Sequence, residues 1–532
     1  MKKLYALLFT AASFTSIGQQ ITLDQTYSND GQANVQPMTD NMIYYMSLKE
    51  MRSLDNDFTL SMHLYQDANT YLPSTEIRSQ RVNGNSIDEA TYYSWNSSDG
   101  DVEGYTMDPI SDGIILGARL HENNQTTEIE LAKLDGSLTA QGALDNTFGT
   151  NGKVVIPDFD FYPRPVKVLE HSDGSLYLIS EVSISGSANK KIGITKLDAS
   201  GTIDNTFGTN GHITEVIGDS IYNVKDAMID ADDNIYIAGG LYRYGSYSTG
   251  EGPGTFTSQR AFVAKFSANG TLDNTFANNG YRNFSFALPT RASQVNNIEF
   301  FSNGDVMVCG YITIPNGPNN FYTQLGFARI LANGNMDTSF GPYNTGAISS
   351  NFSNNRATTR EAIIENDVIL GLGSVQESSS DPTLPAIFIM NGSGELITTG
   401  HPDGYYLYTN ENDWMSQIAS TPEGKILTYG EGYDQGSMLS QTSTYRFIYD
   451  APANITEEGI ELSVYPNPSS NVISIASPNA VDRVIIFGMD GKVARTYDNA
   501  TNLSVEGIAQ GSYILNAVLS SGEIVRKKII IE

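Results

Sequence analysis

One short motif constrains this chain more than any other feature. It is clearest as Leu144-Asp145-Asn146-Thr147-Phe148-Gly149-Thr150-Asn151-Gly152 and recurs along most of the sequence. The copies centre on Asp24, Asp88, Asp145, Asp204, Asp273, Asp337 and, in decayed form, Ile397, so successive steps are 64, 57, 59, 69, 64 and 60 residues. A unit of about 60 residues buries its apolar face poorly alone, so the series predicts an array whose neighbours share their cores.

A second signal runs in phase with the first. Turn dipeptides followed by apolar strands occur at Asp40-Asn41, Asp112-Gly113, Asp173-Gly174, Asp233-Asn234, Asn303-Gly304, Asn366-Asp367 and Glu423-Gly424. Asn, Asp and Gly tolerate the positive φ of tight hairpin turns. Between 165 and 217 the pattern predicts four strands (PVKVLEH, SLYLISEVS, KIGITKLD, HITEVI) and no helical periodicity. Four antiparallel strands per unit make a propeller blade. The glycines after the hairpin strands, Gly239, Gly310 and Gly371, suit either a crowded inner ring or a bulge. The first motif precedes any hairpin, and the last hairpin is followed by a strand but no motif, so the N-terminal segment can complete the last unit and remove two open sheet edges. The expectation is an all-β chain: a seven-bladed β-propeller over residues 19–450, with six blades as the alternative because 46–87 is irregular.

Within the motif, the Asp suits an Asx-type turn, the Phe or Tyr suits packing between units, and the closing Asn-Gly reverses the chain. At Asp145 and Asp204 these residues resemble the delta-60 repeat family. That resemblance implies an exported bacterial propeller and no particular activity.

Residues 1–18 combine Lys2 and Lys3, an apolar run from Leu4 to Phe14 and the small-residue end Ser16-Ile17-Gly18, which reads as a cleaved export signal. The expectation is a secreted or outer-membrane-surface protein that passes through the periplasm without a membrane span. Cys309 is the single cysteine, which excludes disulfides and predicts a small buried hydrophobe. Asp and Glu outnumber Lys and Arg 60 to 31, for a net charge of -29, so a nucleic-acid partner is not expected.

A polar, Pro-containing stretch at 451–459 reads as a linker to a separate β-sandwich at 460–532, whose strands alternate and meet at turns such as Asp490-Gly491. Tyr465-Pro466-Asn467-Pro468, Gly491-Lys492, Gly511 with Tyr513, and the terminal KKIII run resemble the type A sorting domain of the type IX secretion system. The resemblance implies a Bacteroidetes-type source, the type IX machinery as partner, and those eight residues as the sorting signal.

No catalytic motif, phosphate-binding loop or cofactor fingerprint is present, so the expectation is a non-catalytic glycan- or protein-binding module without a cofactor, with an extracellular polysaccharide hydrolase or lyase, or a structural envelope protein, as the alternative. The five histidines are scattered and read as surface or turn residues, with no metal site. Asp230-x-Asp232-x-Asn234 opens like a calcium loop, but Ile235 replaces the turn glycine and Leu241 the closing Glu, so it reads as a hairpin turn. Asp219-Ser220-Ile221 matches a short O-glycosylation signal. The segments after the hairpin strands (242–258, 315–323, 373–385, 431–442) read as loops on one face. Tyr242, Tyr244, Tyr247, Phe256, Phe321 and Tyr322 there are candidate contacts for a glycan or protein ligand.

Overall fold

In a computed structural model, the chain is described from residue 20 to 532 except for 29–31, 36–42, 54–57, 68–72, 84–85, 96–100, 123–124, 136–142, 158–162, 185–189, 219–220, 250–251, 288–291, 316–320, 343–344, 351–355, 377–381, 399–400, 402, 409–412, 422–423, 435–438, 451–462, 478–479, 489–492, 499–500 and 520–523. The expected export signal, the linker at 451–459, the Asp40-Asn41 turn and the Asp219-Ser220 part of the glycosylation signal lie outside the described residues. Internal contacts divide the chain into two compact units, 1–451 and 452–532.

The larger unit is a β-propeller. Its described strands form seven antiparallel groups of four: 43–95, 101–156, 164–215, 221–284, 292–350, 356–407, and 413–450 completed by Gln20–Leu23. We number these units one to seven. The first strand of each lies innermost: Ile43–Ser53, Asp101–Ile110, Arg164–Glu170, Ile221–Ile229, Ala292–Phe300, Arg356–Glu365 and Asp413–Ser420. Each touches the first strand of the next unit, and Asp413–Ser420 touches Ile43–Ser53, so the inner strands form a closed circle. Hydrogen bonds between the chain ends also close the ring, because Gln20↔Asp450 through Leu23↔Phe447 pair the N-terminal strand with the last strand of unit seven. Gln32–Val35 pairs further along the same strand. The offset inferred from the order of motifs is what fastens the ring.

The motif works as its residue types dictate. In five copies the Asp Oδ1 accepts from the backbone N–H and the hydroxyl two residues on, with hydroxyl distances of 2.6 Å from Thr26, Thr147, Thr206, Thr275 and Ser339. Asn151, Asn210 and Asn279 follow at positive φ, as the reversal requires. Phe148, Phe207, Phe276 and Phe340 are buried, each such ring worth roughly 1.5–3 kcal/mol of apolar burial. Between units, Gly149 N–H donates to the Ser200 carbonyl at 2.7 Å, and Gly341 N–H to Ser393 at 2.8 Å. The motif of one unit thus docks on the turn of the next.

Three expectations need correction. Asp88 lies inside the strand Ser86–Trp95, opposite Arg81, because the hairpin at 83–86 carries the chain directly from one strand to the next. The strand after Asp40-Asn41 is the innermost of unit one rather than the second of a hairpin, and its partner follows at Phe58–Asp67. The region 43–95 is therefore an ordinary four-stranded sheet shifted in phase. His63 is no surface residue either: it sits fully buried in that sheet, 2.7 Å from the Ser61 hydroxyl, and burial pushes its pKa down to about 3. Cys309 is buried as expected, and burial raises its thiol pKa.

The smaller unit packs Ser463–Tyr465, Val472–Ala476 and Asn502–Ser504 against a second sheet in the order Val493–Asp498, Val481–Gly488, Gly511–Leu519, Ile524–Ile531. Inward residues of both sheets, among them Ile473, Val484, Leu515 and Ile529, form one core.

Candidate functional site

Every inner strand carries a β-bulge at the same level. The register skips one residue between Leu48/Glu50, Gly104/Thr106, Pro165/Lys167, Val224/Asp226, Val295/Asn297, Thr359/Glu361 and Met415/Gln417. Glycine on the neighbouring strand makes room: a Cβ on Gly310 would lie 1.9 Å from the Gln294 carbonyl, and one on Gly373 1.7 Å from that of Thr358. The bulge, rather than crowding alone, accounts for these glycines.

In units four, five and six the polar residue just past the bulge reaches sideways to the next unit, and in unit two Asp108, two residues further on, does the same. Asp226 accepts from Ile298 N–H at 3.1 Å, Asn297 from Ala362 N–H at 3.1 Å, and Glu361 from Ile418 N–H at 2.8 Å. Asp108 accepts from Val168 N–H at 2.7 Å. These three carboxylates and one amide satisfy N–H groups that an edge strand would otherwise leave unpaired. They also ring a central cavity of about 560 Å³, with Asp108, Lys167, Glu170, Asp226, Glu299 and Glu361 in its wall. The Lys167 ammonium stands between Asp108 at 3.4 Å and Asp226 at 3.7 Å.

At the other end of the inner strands, towards the tips of the second hairpins, the character changes. Arg164 donates to the Val224 carbonyl at 2.7 Å and pairs with Glu181 at 3.2 Å. Lys225 and Arg360 occupy the skipped bulge positions of units four and six. Arg360 lies over the ring of Trp414, 4.3 Å from its centroid, and Trp414 is 56% exposed. Tyr311 donates to Gln294 at 3.0 Å, and Asn296 to the Thr359 carbonyl at 2.7 Å. Arg119 and Arg164 both face the ring of Tyr105.

The expected ligand residues lie on the same side of the ring, but the segments carrying most of them are strands rather than loops. Tyr242, Tyr244 and Tyr247 sit in Ile235–Thr249, paired with Gln259, Thr257 and Gly254, and Phe256 is opposite Gly245. Phe321 and Tyr322 begin Phe321–Ile330, with Tyr322 half-buried opposite Ile314. The hairpins at 373–385 and 431–442 likewise continue as paired strand to Gln376 and Asp434. Alternating aromatic and small residues pair as readily as they loop, which accounts for the difference. Asp230 spends its carboxylate on its own turn, accepting from Asp232 N–H at 3.0 Å and Asn234 N–H at 2.8 Å.

In the smaller unit Asn467 bridges to the C-terminal strand. It donates to the Lys528 carbonyl at 3.0 Å and accepts from Ile530 N–H at 2.8 Å. Cis bonds precede Pro466 and Pro468, and Tyr465 is 54% exposed. Tyr513 donates to the Ala509 carbonyl at 2.6 Å and lies opposite Ile529, and Gly511 lies opposite Ile531. Gly491 and Lys492 lie outside the described residues.

Comparison with known proteins agrees with both halves. Residues 463–532 match the secretion system C-terminal sorting domain family, and residues 254–276 match a β-propeller family described as a domain of unknown function, DUF5122. This is a β-propeller protein with a type IX secretion sorting domain, which directs it to the cell surface or the extracellular space. No curated protein sequence matches the chain. Among solved structures it is similar to the β-propeller domain of the Trilobed protease from Pyrococcus furiosus, at 8% identity over 77% of this chain and 98% of that one, with a TM-score of 0.39. It is also similar to an α-L-arabinanase from Penicillium chrysogenum complexed with arabinobiose, at 11% identity over 82% and 98% of the two chains and a TM-score of 0.35. A third similar structure is the WD40 domain of SCAP from fission yeast, at 9% identity over 86% and 96% and a TM-score of 0.28. Likenesses this remote bear on no activity.

Proposed function

We propose that this protein is an exported seven-bladed propeller that recognises a glycan or protein without catalysing a reaction. Residues 19–450 would be the recognition domain, and 460–532 the address that the type IX machinery reads. One observation carries the reading. Asp108, Asp226 and Glu361, three of the five carboxylates in the cavity wall, are held by backbone N–H groups of neighbouring strands. A carboxylate fixed in that way is acceptor to the fold, whereas a general acid or base must exchange its proton with substrate. The opposite mouth offers an exposed indole and cations instead, the residue types that anchor a ligand.

The test is to incubate the secreted chain with a polysaccharide panel and to measure retained complex and released reducing sugar together. Retention without release is expected. Release that is lost in an Asp226→Asn or Glu361→Gln variant which still folds would replace this reading with a hydrolytic one.

A further inference from the structure

The mouth at the hairpin-tip end of the channel holds two cations, Lys225 and Arg360, on equivalent bulges. Among the described residues, neither Lys225 nor Arg360 makes a hydrogen bond or ion pair, although both sit on bulges that turn them out of the strand ladder. Arg164 nearby shows the contrast, since its guanidinium is satisfied by Glu181 and the Val224 carbonyl. Lys225 is open to solvent, and the protein around it, with Arg164 beside it, lowers its ammonium pKa against the opposing charge of Glu181. Lost hydration also lowers the pKa of half-buried Arg360, outweighing the opposing charge of Glu431. In a chain of net charge -29, two cations that no hydrogen bond or ion pair fixes keep positive charge at this mouth for an anion to meet. In unit seven Trp414 lies 56% exposed, backed by Arg360 of unit six at 4.3 Å. An indole supported from behind by a guanidinium gives a flat platform on which a sugar ring stacks, and this favours a saccharide over an acidic polypeptide.

Building on the recognition reading above, we infer that Lys225, Arg360 and Trp414 form a binding site for an anionic polysaccharide, one bearing carboxylate or sulfate groups. Lys225 and Arg360 pair with successive anionic groups, and Trp414 stacks on a ring beside them. Bulges at equivalent places on the inner strands of units four and six turn Lys225 and Arg360 out of the ladder, as bulges elsewhere re-aim side chains at binding sites, and Arg360 in turn lies over Trp414 of unit seven.

Four polymers test the inference by calorimetry on the secreted chain: polygalacturonate, dextran sulfate, neutral dextran and poly-glutamate. At least one anionic polysaccharide binds, neutral dextran does not, and affinity falls as salt is added. Lys225→Gln and Arg360→Gln each weaken binding about tenfold or more, as expected for loss of a charge-assisted contact. Trp414→Ala weakens it several-fold, and none of the three shifts the thermal midpoint by more than a few degrees. Preference between polygalacturonate and dextran sulfate identifies the anionic group. Equal binding of neutral dextran, unaffected by the three substitutions, would overturn the inference and leave the recognition reading standing. Binding of poly-glutamate alone would overturn it in favour of an acidic protein. Failure of every polymer at low salt would overturn both the inference and the glycan arm of the reading beneath it.

Discussion

The Asp24 carboxylate lies 2.9 Å from the guanidinium Nε of Arg446, across 422 residues of sequence, and joins the first turn of the propeller to its last strand. Both side chains are almost fully buried, at 1% and 6% exposure. Burial alone would raise the pKa of Asp24, but Lys425, the Thr26 hydroxyl and N–H, and Arg446 outweigh it and hold the carboxyl well below the ordinary carboxylate range. Asp24→Ala strands a buried guanidinium and should cost about 3 kcal/mol. A urea titration followed by fluorescence would show it as a lowered midpoint. Asp204→Ala, which removes a half-buried carboxylate from the same motif in unit three, should cost much less. Equal losses would mean that the pair contributes nothing to closure.

The sixth unit contains a natural experiment on this pairing. Where other units place Asp beside a cation of the preceding strand, such as Asp273 with Lys265 at 3.7 Å or Asp337 with Arg329 at 3.4 Å, this unit places Ile397 beside Ile389, joined by the same backbone bond. Both charges are replaced together, which fits the finding that a buried or half-buried ion pair exchanges for apolar residues but tolerates loss of one partner poorly. Installing Asp273→Ile with Lys265→Ile should therefore cost less than the sum of the two single changes, with a coupling of about 1 kcal/mol in a double-mutant cycle. Strict additivity would show that the two residues act separately.

Much of the ring was legible because its information is local or ordinal. The Asx turn at Asp145 lies within nine residues, and the order of motif and hairpin at the ends implied the pairing of Gln20–Leu23 with the last strand. The phase of unit one was not legible, since the hairpin at 83–86 replaces the Asp turn with a different reversal and leaves Asp88 in a strand. The bulges did leave a trace: Lys225-Asp226, Asn296-Asn297 and Arg360-Glu361 are adjacent polar pairs that break strand alternation at equivalent places in their units. A bulge aims two neighbours off the ladder, so that doubling was the available pointer to Lys225 and Arg360. Nothing in the sequence marked Arg360 as the partner of Trp414, because their stacking joins two units.

Two glycines separate backbone strain from packing. Gly174 and Gly270 both hold positive φ, at 81° and 78°, but a Cβ on Gly174 would meet nothing within 4 Å, whereas one on Gly270 would lie 2.2 Å from Ile213 and 2.4 Å from Phe207. Gly174→Ala should cost about 1–2 kcal/mol from the left-handed conformation alone. Gly270→Ala adds overpacking between units three and four, about 1–3 kcal/mol more. Similar midpoints for the two variants in thermal denaturation would show that the inter-unit contact gives way freely.

His63 predicts an acid sensitivity with a defined sign. Burial, then the charge of Arg78, lower its pKa to about 3 from an ordinary 6.5. The folded state resists a proton that the unfolded chain accepts, so the stability conferred by neutral His63 is complete above pH 6.5 and is lost as pH falls towards 3. The slope is about 1.4 kcal/mol per pH unit within that window. Asp24 stays ionised through most of that range because its pKa is also lowered, and its contribution fades only below the ordinary carboxylate range. Unfolding at pH 6.5 and 4.5 should differ for the native chain, and His63→Gln should flatten the difference.

Asn467 separates folding from sorting in the smaller unit. Its two bonds to the backbone of Lys528 and Ile530 tie the Pro-bracketed turn to the terminal strand, and Ser469 continues the contact through its N–H to the Ile530 carbonyl at 3.0 Å. Asn467→Ala removes both bonds and should destabilise this unit by about 1–2 kcal/mol, since each exchanges against water. Tyr465, 54% exposed, contributes little to the core. Tyr465→Ala should therefore leave the unit folded, and an export defect in that variant would come from lost recognition. Fractionating cells that express each variant distinguishes the cases. Accumulation in the periplasm is expected for both, with raised protease sensitivity of residues 460–532 only for Asn467→Ala. Normal export of both would dissociate the Tyr465–Pro468 turn from the sorting signal and leave the terminal strand as the part that is read.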